Sequence, residues 1–475
     1  MQQILTYAFL VIYTVTILGI VLVIITDNRN PLKTLPWIIV LVFAPVVGLV
    51  FYFFFGQNLS KQRIISRRTR KRITMQLEEA HDDGRPDIPD EHLPLARLLA
   101  ATIHSVPLYG SRITPYTDGK SKMEALLAEI ARAKHHIHIQ YYIFCDDTTG
   151  CRLRDALVAK ARQGVEVRIL YDDVGCSGVK KSFFEGMRRE GIEAFAFLHV
   201  KFPLFTSKVN YRNHRKIAVI DGEVAYTGGM NIADYYINGL PKIGTWRDMH
   251  MRIEGDAVND LQEIFLTIWN KETKQNIGGE AYFPKHKGQS DTTNVVVAIV
   301  DRTPKKNSRM LSHAYAMSIY SAQKNVHIVN PYFVPTSSIN KALQRTIERG
   351  VDVTIMVSSA SDIPFTPDAA LYKLHKLMKR GATVYMYNGG FHHSKIMMVD
   401  DIFCTVGTAN LNSRSLRYDY ETNAFIFNKE ITGELNEMFR NDIEHCTQLT
   451  PEFWKKRSPW KKFVGWFANL FTPFL

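Results

Sequence analysis

Cysteine is scarce in this sequence, and its spacing argues against two classes of protein. Five cysteines occur in 475 residues, and no two of them form a Cys-x-x-Cys pair. An odd, irregularly spaced set is not the framework of a disulfide-stabilised secreted domain, and it lacks the paired spacing of a cysteine-rich zinc site. We therefore expect reduced thiols in a cytoplasmic domain, most of them filling its core. They are Cys145, Cys151, Cys176, Cys404 and Cys446.

Charge is missing from the start of the chain. Residues 4–26 contain no charged side chain and would span roughly 34 Å as a helix, enough to cross the hydrocarbon core of a bilayer. A second apolar run follows at 35–55. The first run lacks the cationic start and the small-residue cleavage site of a signal peptide. We therefore predict a transmembrane helical hairpin over residues 1–56, with spans at about 4–26 and 35–55. A cleaved signal peptide and a buried hairpin of a soluble protein are the alternatives.

Positive charge is concentrated just after this predicted hairpin. Residues 61–72 contain seven cations and no acid, whereas the turn between the two apolar runs has only Arg29 and Lys33. This excess after the second run predicts that both ends of the hairpin face the cytoplasm. The catalytic bulk of the chain would then also be cytoplasmic.

The formal net charge of +13 is not spread over the whole chain. Residues 61–72 contribute +7 and residues 455–475 contribute +5, which leaves +1 for all other residues. A nucleic-acid enzyme would be expected to be basic over its body. The distribution instead favours anionic lipid headgroups as partners, and no nucleic acid. A topology signal without lipid specificity is the alternative reading of the first tract.

Two halves of the remaining chain repeat the same order of elements. Acidic, proline-rich residues 80–94 indicate an irregular linker, and helical and strand patterns alternate from about Leu95 onwards. Three segments and a His-x-Lys strand then recur in the same order, which predicts a duplicated α/β domain. The matched segments are 123–144 with 314–335, 153–173 with 339–359 and 187–197 with 377–387, followed by the two His-x-Lys strands.

The predicted domain boundaries follow from this repeat. A basic juxtamembrane segment and acidic linker occupy residues 57–94, the first α/β domain 95–290 and the second 291–450. In the tail, residues 451–475, cations alternate with tryptophan and phenylalanine, which is typical of a membrane-interface segment; core packing is the alternative. The apolar run 195–209 is interpreted either as a lipid-facing lip or as a buried strand and loop.

One motif, H-x-K-x(4)-D-x(6)-G-[GT]-x-N, occurs once in each half. Its members are His214, Lys216, Asp221, Gly228, Gly229 and Asn231, and then His393, Lys395, Asp400, Gly407, Thr408 and Asn410. In a strand, residues i and i+2 point to the same face, so each histidine and its lysine should project together into one cavity. The aspartate, seven residues after the histidine, points to the other face. We expect it to brace the motif rather than to touch the substrate.

An imidazole beside an ammonium group suits phosphate chemistry. The cation can hold non-bridging phosphate oxygens while the histidine attacks phosphorus or transfers a proton. With two copies, one histidine can be the nucleophile while the other protonates the leaving alcohol and then deprotonates the incoming one. Neither the carboxylate clusters of two-metal phosphoryl transfer nor the spacing of a zinc site occurs beside the motifs. We therefore predict a reaction that uses no metal or other cofactor.

The paired motifs resemble those of the phospholipase D superfamily, and within it the chain is similar to the bacterial cardiolipin synthases. The likeness extends from the predicted hairpin to the basic aromatic tail. It includes NYRNHRKIAVIDG at 210–222, GTWRDMHMRIEG at 244–255, NPYFVPT at 330–336 and NLNSRSLRYDYETN at 410–423. The resemblance implies two tandem phospholipase D-like α/β domains, each a mixed β-sheet flanked by helices. They would follow a multi-pass anchor in the bacterial inner membrane.

The resemblance also implies a reaction and roles for individual residues. Two phosphatidylglycerol molecules would give cardiolipin and glycerol through a phosphatidyl-histidine intermediate, with His214 as nucleophile and His393 as acid and base. Phosphate oxygens would be held by Lys216, Lys395, Asn231 and Asn410, while Asp248 and Glu421 would orient the histidines. Serine is common in the superfamily where this chain has Gly229 and Thr408, so the first half lacks that hydroxyl. The alternatives are a hydrolytic phospholipase D, another phosphatidyltransferase such as a phosphatidylserine synthase, and an inactive lipid-binding scaffold.

Overall fold

A computed structural model describes residues 88, 90–102, 108–199, 211–286, 295–304, 309–363 and 366–470, with isolated helical positions between residues 3 and 40. Most of the predicted hairpin, the basic tract and most of the acidic linker therefore lie outside the described residues. Among the described helices, none combines the length and the apolar character needed to cross a bilayer. The elements below belong to one compact unit, residues 62–199 and 212–475, while residues 1–61 and 200–211 form another.

The two halves of the chain build matching sets of strands. Those of the first half are β1 Leu108–Tyr116, β2 His136–Tyr141, β3 Glu166–Asp172, β4 Glu193–Phe197, β5 Ile217–Ile220, β6 Val224–Gly228, β7 Trp246–Arg247 and β8 His250–Glu254. Those of the second half are β9 Val295–Arg302, β10 Asn325–Val329, β11 Asp352–Ser358, β12 Thr383–Tyr387, β13 Phe391–His392, β14 Ile396–Val399, β15 Phe403–Gly407, β16 Glu421–Phe427 and β17 Cys446–Gln448.

Fifteen of these strands form one sheet that runs through both halves. Its order is β17-β12-β11-β10-β14-β15-β16-β9-β1-β8-β6-β5-β2-β3-β4, and β7 pairs separately with β13. The halves join where β1 and β9 pair in antiparallel fashion, and the strand order leading away from this junction is the same on both sides. Strands β2, β3 and β4 are parallel, whereas β5 runs antiparallel to β2. The predicted duplication of a mixed α/β sheet is confirmed.

Helices cover this sheet and connect its strands. In the first half they are α1 Leu93–Thr102, α2 Gly119–Arg132, α3 Thr148–Arg162, α4 Lys181–Arg189, α5 Tyr235–Asn238 and α6 Ala257–Thr273. In the second half they are α7 Met310–Ser321, α8 Ser337–Glu348, α9 Thr366–Met378, α10 Ser413–Arg417, α11 Lys429–Ile443, α12 Pro451–Lys456 and α13 Pro459–Leu470. Side-chain caps start several of them; Asp118, for example, accepts the backbone N–H of Ser121 at the start of α2. Short 3₁₀ turns lie at Asp90–His92 and Glu280–Tyr282.

The strands that follow the two motifs are buried on both faces. Every residue of β5 (IAVI) and β14 (IMMV) is buried, which explains why both are continuous apolar runs rather than alternating patterns. One hydrophobic cluster contains Ile217 and Val219 from the first half together with Ile396 and Met398 from the second. The junction between the halves is therefore continuous core, and it holds the two motifs at a fixed separation.

Candidate active site

Each histidine–lysine pair lies in an extended segment just before a strand, not within the strand itself. The sequence pattern predicts a strand that opens on the histidine, but β5 begins at Ile217 and β14 at Ile396. The reason is that each segment pairs with the opposite half. His214 N donates to the Tyr420 carbonyl at 2.9 Å, and His393 N donates to the Arg247 carbonyl at 2.6 Å. The two motifs are thus drawn toward each other across the junction.

The carboxylates that face the histidines also come from the opposite halves. Asp248 Oδ2 lies 2.7 Å from His393 Nδ1, and Glu421 Oε2 lies 3.0 Å from His214 Nδ1. Asp248 directly precedes Met249 and β8, and Glu421 begins β16, the equivalent strand. An Nδ1–H that donates to a carboxylate leaves Nε2 free, which is the tautomer needed for attack or proton transfer at Nε2. The sequence left open which motif each acid serves. In the structure, each acid contacts the histidine of the opposite motif.

Both lysines are buried directly behind their histidines. Lys216 Nζ donates to the His214 carbonyl at 2.7 Å, and Lys395 Nζ donates to the His393 carbonyl and lies 3.8 Å from Asp248 Oδ2. Burial lowers the pKa of Lys216 to about 7 and that of Lys395 to about 8, although the buried carboxylates oppose this shift. An anion in the site would favour the charged ammonium form of both.

The two histidines sit in different surroundings. Burial and the Lys395 ammonium lower the pKa of His393 to about 4, against the opposing effect of Asp248. Its ring is enclosed by aromatic rings, with centroid distances of 5.3 Å to Trp246 and 5.8 Å to Tyr332. The side chain of His393 is 7% exposed and that of His214 is 15% exposed. His214 is therefore the more accessible of the two.

The carboxyl groups remain anionic despite their burial. Burial raises the pKa of Asp248 and Glu421, but the basic side chains that face them outweigh it and hold both pKa values below the usual range. For Asp248 these side chains are Lys395 and then His393; for Glu421 they are His214 and then Lys216. The site thus alternates buried basic and acidic side chains, whose contacts gain strength in a medium of low dielectric constant.

A cavity of about 540 Å³ brings together four residues of the two motifs. His214, His393, Asn231 and Asn410 all line it. The remaining lining residues are Tyr142, Ile143, Arg212, Tyr235, Tyr236, Trp246, Tyr332, Val334, Asp362, Ile363, Thr366, Asn412, Arg414, Ser415 and Asp419. An imidazole pair thus faces a largely aromatic wall with a few charged groups, a combination suited to a phosphate that carries an apolar substituent.

The two asparagines are held differently. The Asn231 side chain donates to Tyr236 OH at 2.8 Å and accepts the backbone N–H of Ile143 at 3.1 Å. The side-chain oxygen of Asn410 is buried and has no hydrogen-bond partner among the described residues. Asn410 therefore retains the greater capacity for a polar contact with a bound group.

Asp221 and Asp400 lie away from the cavity and bind backbone. The Asp221 carboxylate accepts the N–H groups of Lys134, His135 and His136 at 2.7, 2.7 and 2.9 Å. Asp400 accepts the equivalent three N–H groups of residues 323–325 at the start of β10. Both have positive φ, 54° and 55°, a conformation that aspartate tolerates better than most residues. Although both were predicted among the catalytic residues, their contacts are those of the brace that strand parity also indicated.

The superfamily departures at Gly229 and Thr408 have opposite consequences. A Cβ atom at Gly229 would lie 2.1 Å from Asp248 Oδ1, so this glycine makes room for the carboxylate. The Thr408 hydroxyl instead donates to Glu421 Oε2 at 2.5 Å. The Thr408 hydroxyl thus helps to hold Glu421 in place, whereas Asp248 occupies the space that a side chain at position 229 would fill.

Several contributors were not singled out from the sequence. Asp172 forms a buried ion pair with Arg212 at 2.9 Å and accepts the Asn213 N–H at 2.8 Å, so it fixes the backbone just before His214. The aromatic wall, including Trp246 and Tyr332, was also missed. The only indication in the sequence was that Trp246 and Tyr332 lie within segments that resemble a known family, GTWRDMHMRIEG and NPYFVPT. Within the described ranges, no group of three or more histidine, cysteine, aspartate or glutamate side chains is placed to hold a metal ion.

The duplicated sheet and the paired, facing His-x-Lys segments define a protein of the phospholipase D class. A family model described as "Cardiolipin synthase, PLD-like domain" matches residues 126–269 and 315–443, and one described as "Phospholipase_D-nuclease N-terminal" matches residues 14–57. The chain belongs to the cardiolipin synthase family.

Curated relatives agree with this family, and a solved structure agrees with the fold. The chain is 35% identical to a cardiolipin synthase of Listeria monocytogenes serotype 4b, with 99% of each chain covered. It is also 35% identical to the major cardiolipin synthase ClsA of Bacillus subtilis, with 98% of each covered. The crystal structure of phosphatidylserine synthase from Haemophilus influenzae covers 80% of this chain and 100% of its own with a TM-score of 0.61. At 15% identity, this last likeness shows the fold alone.

Proposed function

We propose that this protein is a cardiolipin synthase that transfers a phosphatidyl group from one phosphatidylglycerol molecule to another. The observation that carries the proposal is the pair of crossed histidine–carboxylate contacts beside one cavity. The family membership supports the same substrates. The proposed products are cardiolipin and glycerol.

In the first step, His214 Nε2 attacks the phosphorus atom of the donor phosphodiester. The bond to the glycerol headgroup breaks, and glycerol leaves with a proton from protonated His393. The phosphatidyl group is then bound covalently to His214. The greater exposure of His214 supports its role as the nucleophile. Burial and then Lys395 lower the pKa of His393, and a bound phosphate anion would oppose this lowering.

In the second step, a hydroxyl of the acceptor phosphatidylglycerol attacks the same phosphorus atom. His393 takes the hydroxyl proton, the bond between phosphorus and His214 breaks, and cardiolipin is released. Lys216, Lys395, Asn231 and Asn410 stabilise the negative charge on the non-bridging oxygens in both steps. Asp248 and Glu421 orient the two imidazoles, and Asp221 and Asp400 hold the backbone around them. No metal or cofactor takes part in this scheme.

An acceptor lipid must compete with water for the covalent intermediate, so the site should be dry and close to the bilayer. The aromatic wall around His393 supports this arrangement. We place the predicted hairpin in the inner membrane of a bacterial cell and the two α/β domains on its cytoplasmic side. The charge of residues 61–72 and the match of residues 14–57 to an N-terminal family model support this placement.

The proposal is tested with purified full-length protein, phosphatidylglycerol in vesicles or detergent, and no added metal. Mass spectrometry should find cardiolipin and glycerol as products, whereas phosphatidic acid alone would indicate a hydrolase. His214→Ala and His393→Ala should each abolish turnover. His313→Ala, an exposed histidine on α7, is the matched control and should retain full activity. Near-normal turnover by either active-site variant contradicts the two-histidine mechanism.

A further inference from the structure

The last helix, α13, presents an aromatic ridge to solvent. Trp460, Phe463, Trp466 and Phe467 are 69%, 47%, 45% and 47% exposed. Phe463 lies three residues from both Trp460 and Trp466 and four from Phe467. These spacings place all four side chains on one side of the helix. The rings pack along the helix, with centroids 5.6 Å apart for Trp460 and Phe463 and 5.7 Å apart for Phe463 and Trp466. An exposed cluster of large aromatic side chains indicates that this surface binds a partner.

The opposite side of α13 is anchored to helix α9. Gly465 packs so tightly that a Cβ atom there would lie 2.6 Å from the Asp368 carbonyl oxygen. Asn469 donates to the Ala369 carbonyl at 3.0 Å, and Arg457, just before α13, forms an ion pair with the Asp368 carboxylate. The helix is therefore a fixed part of the second domain, and its ridge has a fixed direction relative to that domain.

The same contact reaches the active-site cavity. Ala468 of α13 packs with Ala369 of α9 and with Val334, and Val334 lines the cavity. Thr366, the first residue of α9, and Ile363 just before it also line the cavity, and Ile363 is 44% exposed. The ridge and this part of the cavity wall are thus joined through one helix.

The charge around the ridge selects its partner. From Lys455 to Leu470 the chain has five cations and no acid. Lys461, between the ridge residues Trp460 and Phe463, is exposed. Exposed aromatic rings flanked by cations fit the interface of an anionic bilayer, where rings enter the headgroup region and lysines meet the phosphates.

We propose that the aromatic ridge of α13 docks on an anionic phospholipid bilayer and thereby holds the Ile363 side of the cavity against the membrane. The inference rests on the proposed function, because a lipid substrate must pass between bilayer and cavity. Docking acts on substrate access and not on the chemical step. It should therefore affect substrates in a bilayer far more than substrates in solution.

Fluorescence quenching measures the docking without reference to activity. Full-length protein carrying Trp37→Phe, which removes the tryptophan of the predicted hairpin, is reconstituted in vesicles of brominated phosphatidylglycerol. Replacing Trp460 and Trp466 with phenylalanine should remove at least half of the remaining quenchable emission. Trp269→Phe is the control, because Trp269 is fully buried and should contribute none. Equal quenching with and without Trp460 and Trp466 overturns the proposal, as does protection of the ridge by a concentration-dependent dimer.

The activity arm uses Phe463→Ser combined with Phe467→Ser. Cardiolipin formation from phosphatidylglycerol in vesicles should fall at least tenfold. The rate with a short-chain phosphatidylglycerol below its critical micelle concentration should stay within twofold of the parent protein. If the rate falls equally with both substrates, the ridge has only a structural role. If the rate falls with neither substrate, the ridge has no role in the reaction. Either result overturns the proposal. If the parent protein makes cardiolipin from neither substrate, the proposed function fails, and the quenching result still tests the docking.

Discussion

Replacing Gly229 with alanine probes the contact between Asp248 and His393 without touching either residue. Gly229 follows β6, and its N–H donates to the Met249 carbonyl at 2.7 Å. Its φ is not in the left-handed region, so alanine costs nothing in backbone conformation. The added methyl group would lie 2.1 Å from Asp248 Oδ1 and 2.7 Å from Asp248 Cγ. Steric overlap with one carboxylate is therefore the main effect of the substitution.

The size of the effect follows from these distances. A carbon–oxygen contact closer than 3.0 Å is not sustained, so the carboxylate must withdraw by about 0.9 Å. Its hydrogen bond to His393 Nδ1 is 2.7 Å long, and a displacement of that size takes it outside good geometry. Misplacement of a catalytic group by about 1 Å costs on the order of 100-fold in rate, or about 2.7 kcal/mol in the activation barrier. We expect kcat to fall by about that factor.

The measurement is kcat for cardiolipin formation, with the thermal midpoint recorded to show that the variant is folded. Gly186→Ala on α4 is the matched control, because no atom lies within 4 Å of its added Cβ and its φ is ordinary. Gly229→Ser, which introduces the residue common in the superfamily, should behave like Gly229→Ala since it brings the same Cβ. A folded Gly229→Ala protein whose kcat stays within threefold of the parent value refutes this account of the site.

Three further predictions concern single residues, of which two belong to the motifs and one, Lys122, is buried on α2. Asp221→Ala removes the acceptor of three backbone N–H groups and should lower the free energy of unfolding by about 3 kcal/mol, while kcat of the folded protein changes little; a large loss of kcat at unchanged stability contradicts the bracing role. Lys122→Met should raise the free energy of unfolding by about 2 kcal/mol below pH 7, because burial lowers the pKa of Lys122 to about 7. This gain should shrink as the pH rises toward 10.5, where Lys122 becomes neutral in the folded and in the unfolded state. Denaturant titrations at pH 6 and pH 10 measure it, and Lys120→Met, a substitution of an exposed lysine, is the control that should show no gain at either pH. Thr408→Ala should lower kcat about tenfold through loss of the hydrogen bond to Glu421, Thr408→Ser should retain activity, and equal rates for the two variants would argue against a role for the hydroxyl.

Local patterns made the duplicated sheet predictable. The order of helices and strands depends on short-range periodicity, and the repeat of that order within one chain leaves few other folds. The pairing of β1 with β9 was not predictable, since no local pattern in LYGSRITPY or VVVAIVDR specifies which strand of the other half it joins. For the same reason, the prediction that a strand opens on His214 fails: its N–H pairs with Tyr420, more than 200 residues away.

Residue types in the site were predictable, but their partners were not. The spacing of His214 and Lys216 reflects backbone geometry within three residues. The crossing of Asp248 and Glu421 depends on how two domains face each other, and no local pattern carries that information. The aromatic wall was missed because a buried Trp246 or Tyr332 has the same sequence signature as a core residue. In the C-terminal tail, one side of α13 packs on α9 and the other is exposed, and contact of the exposed side with a membrane interface stays a prediction.

The crossed contacts make each half of the chain incomplete without the other. His214 faces an acid of the second half, His393 faces an acid of the first, and the backbone before each motif hydrogen-bonds to the opposite half. A buried histidine–carboxylate pair contributes only when both members are held in place, because an unpaired buried charge is costly. The continuous core at the junction supplies that rigidity. Two motifs in one chain therefore form one catalytic unit, and the duplication assigns different surroundings to two chemically identical side chains: His393 is enclosed by aromatic rings, and His214 is more exposed.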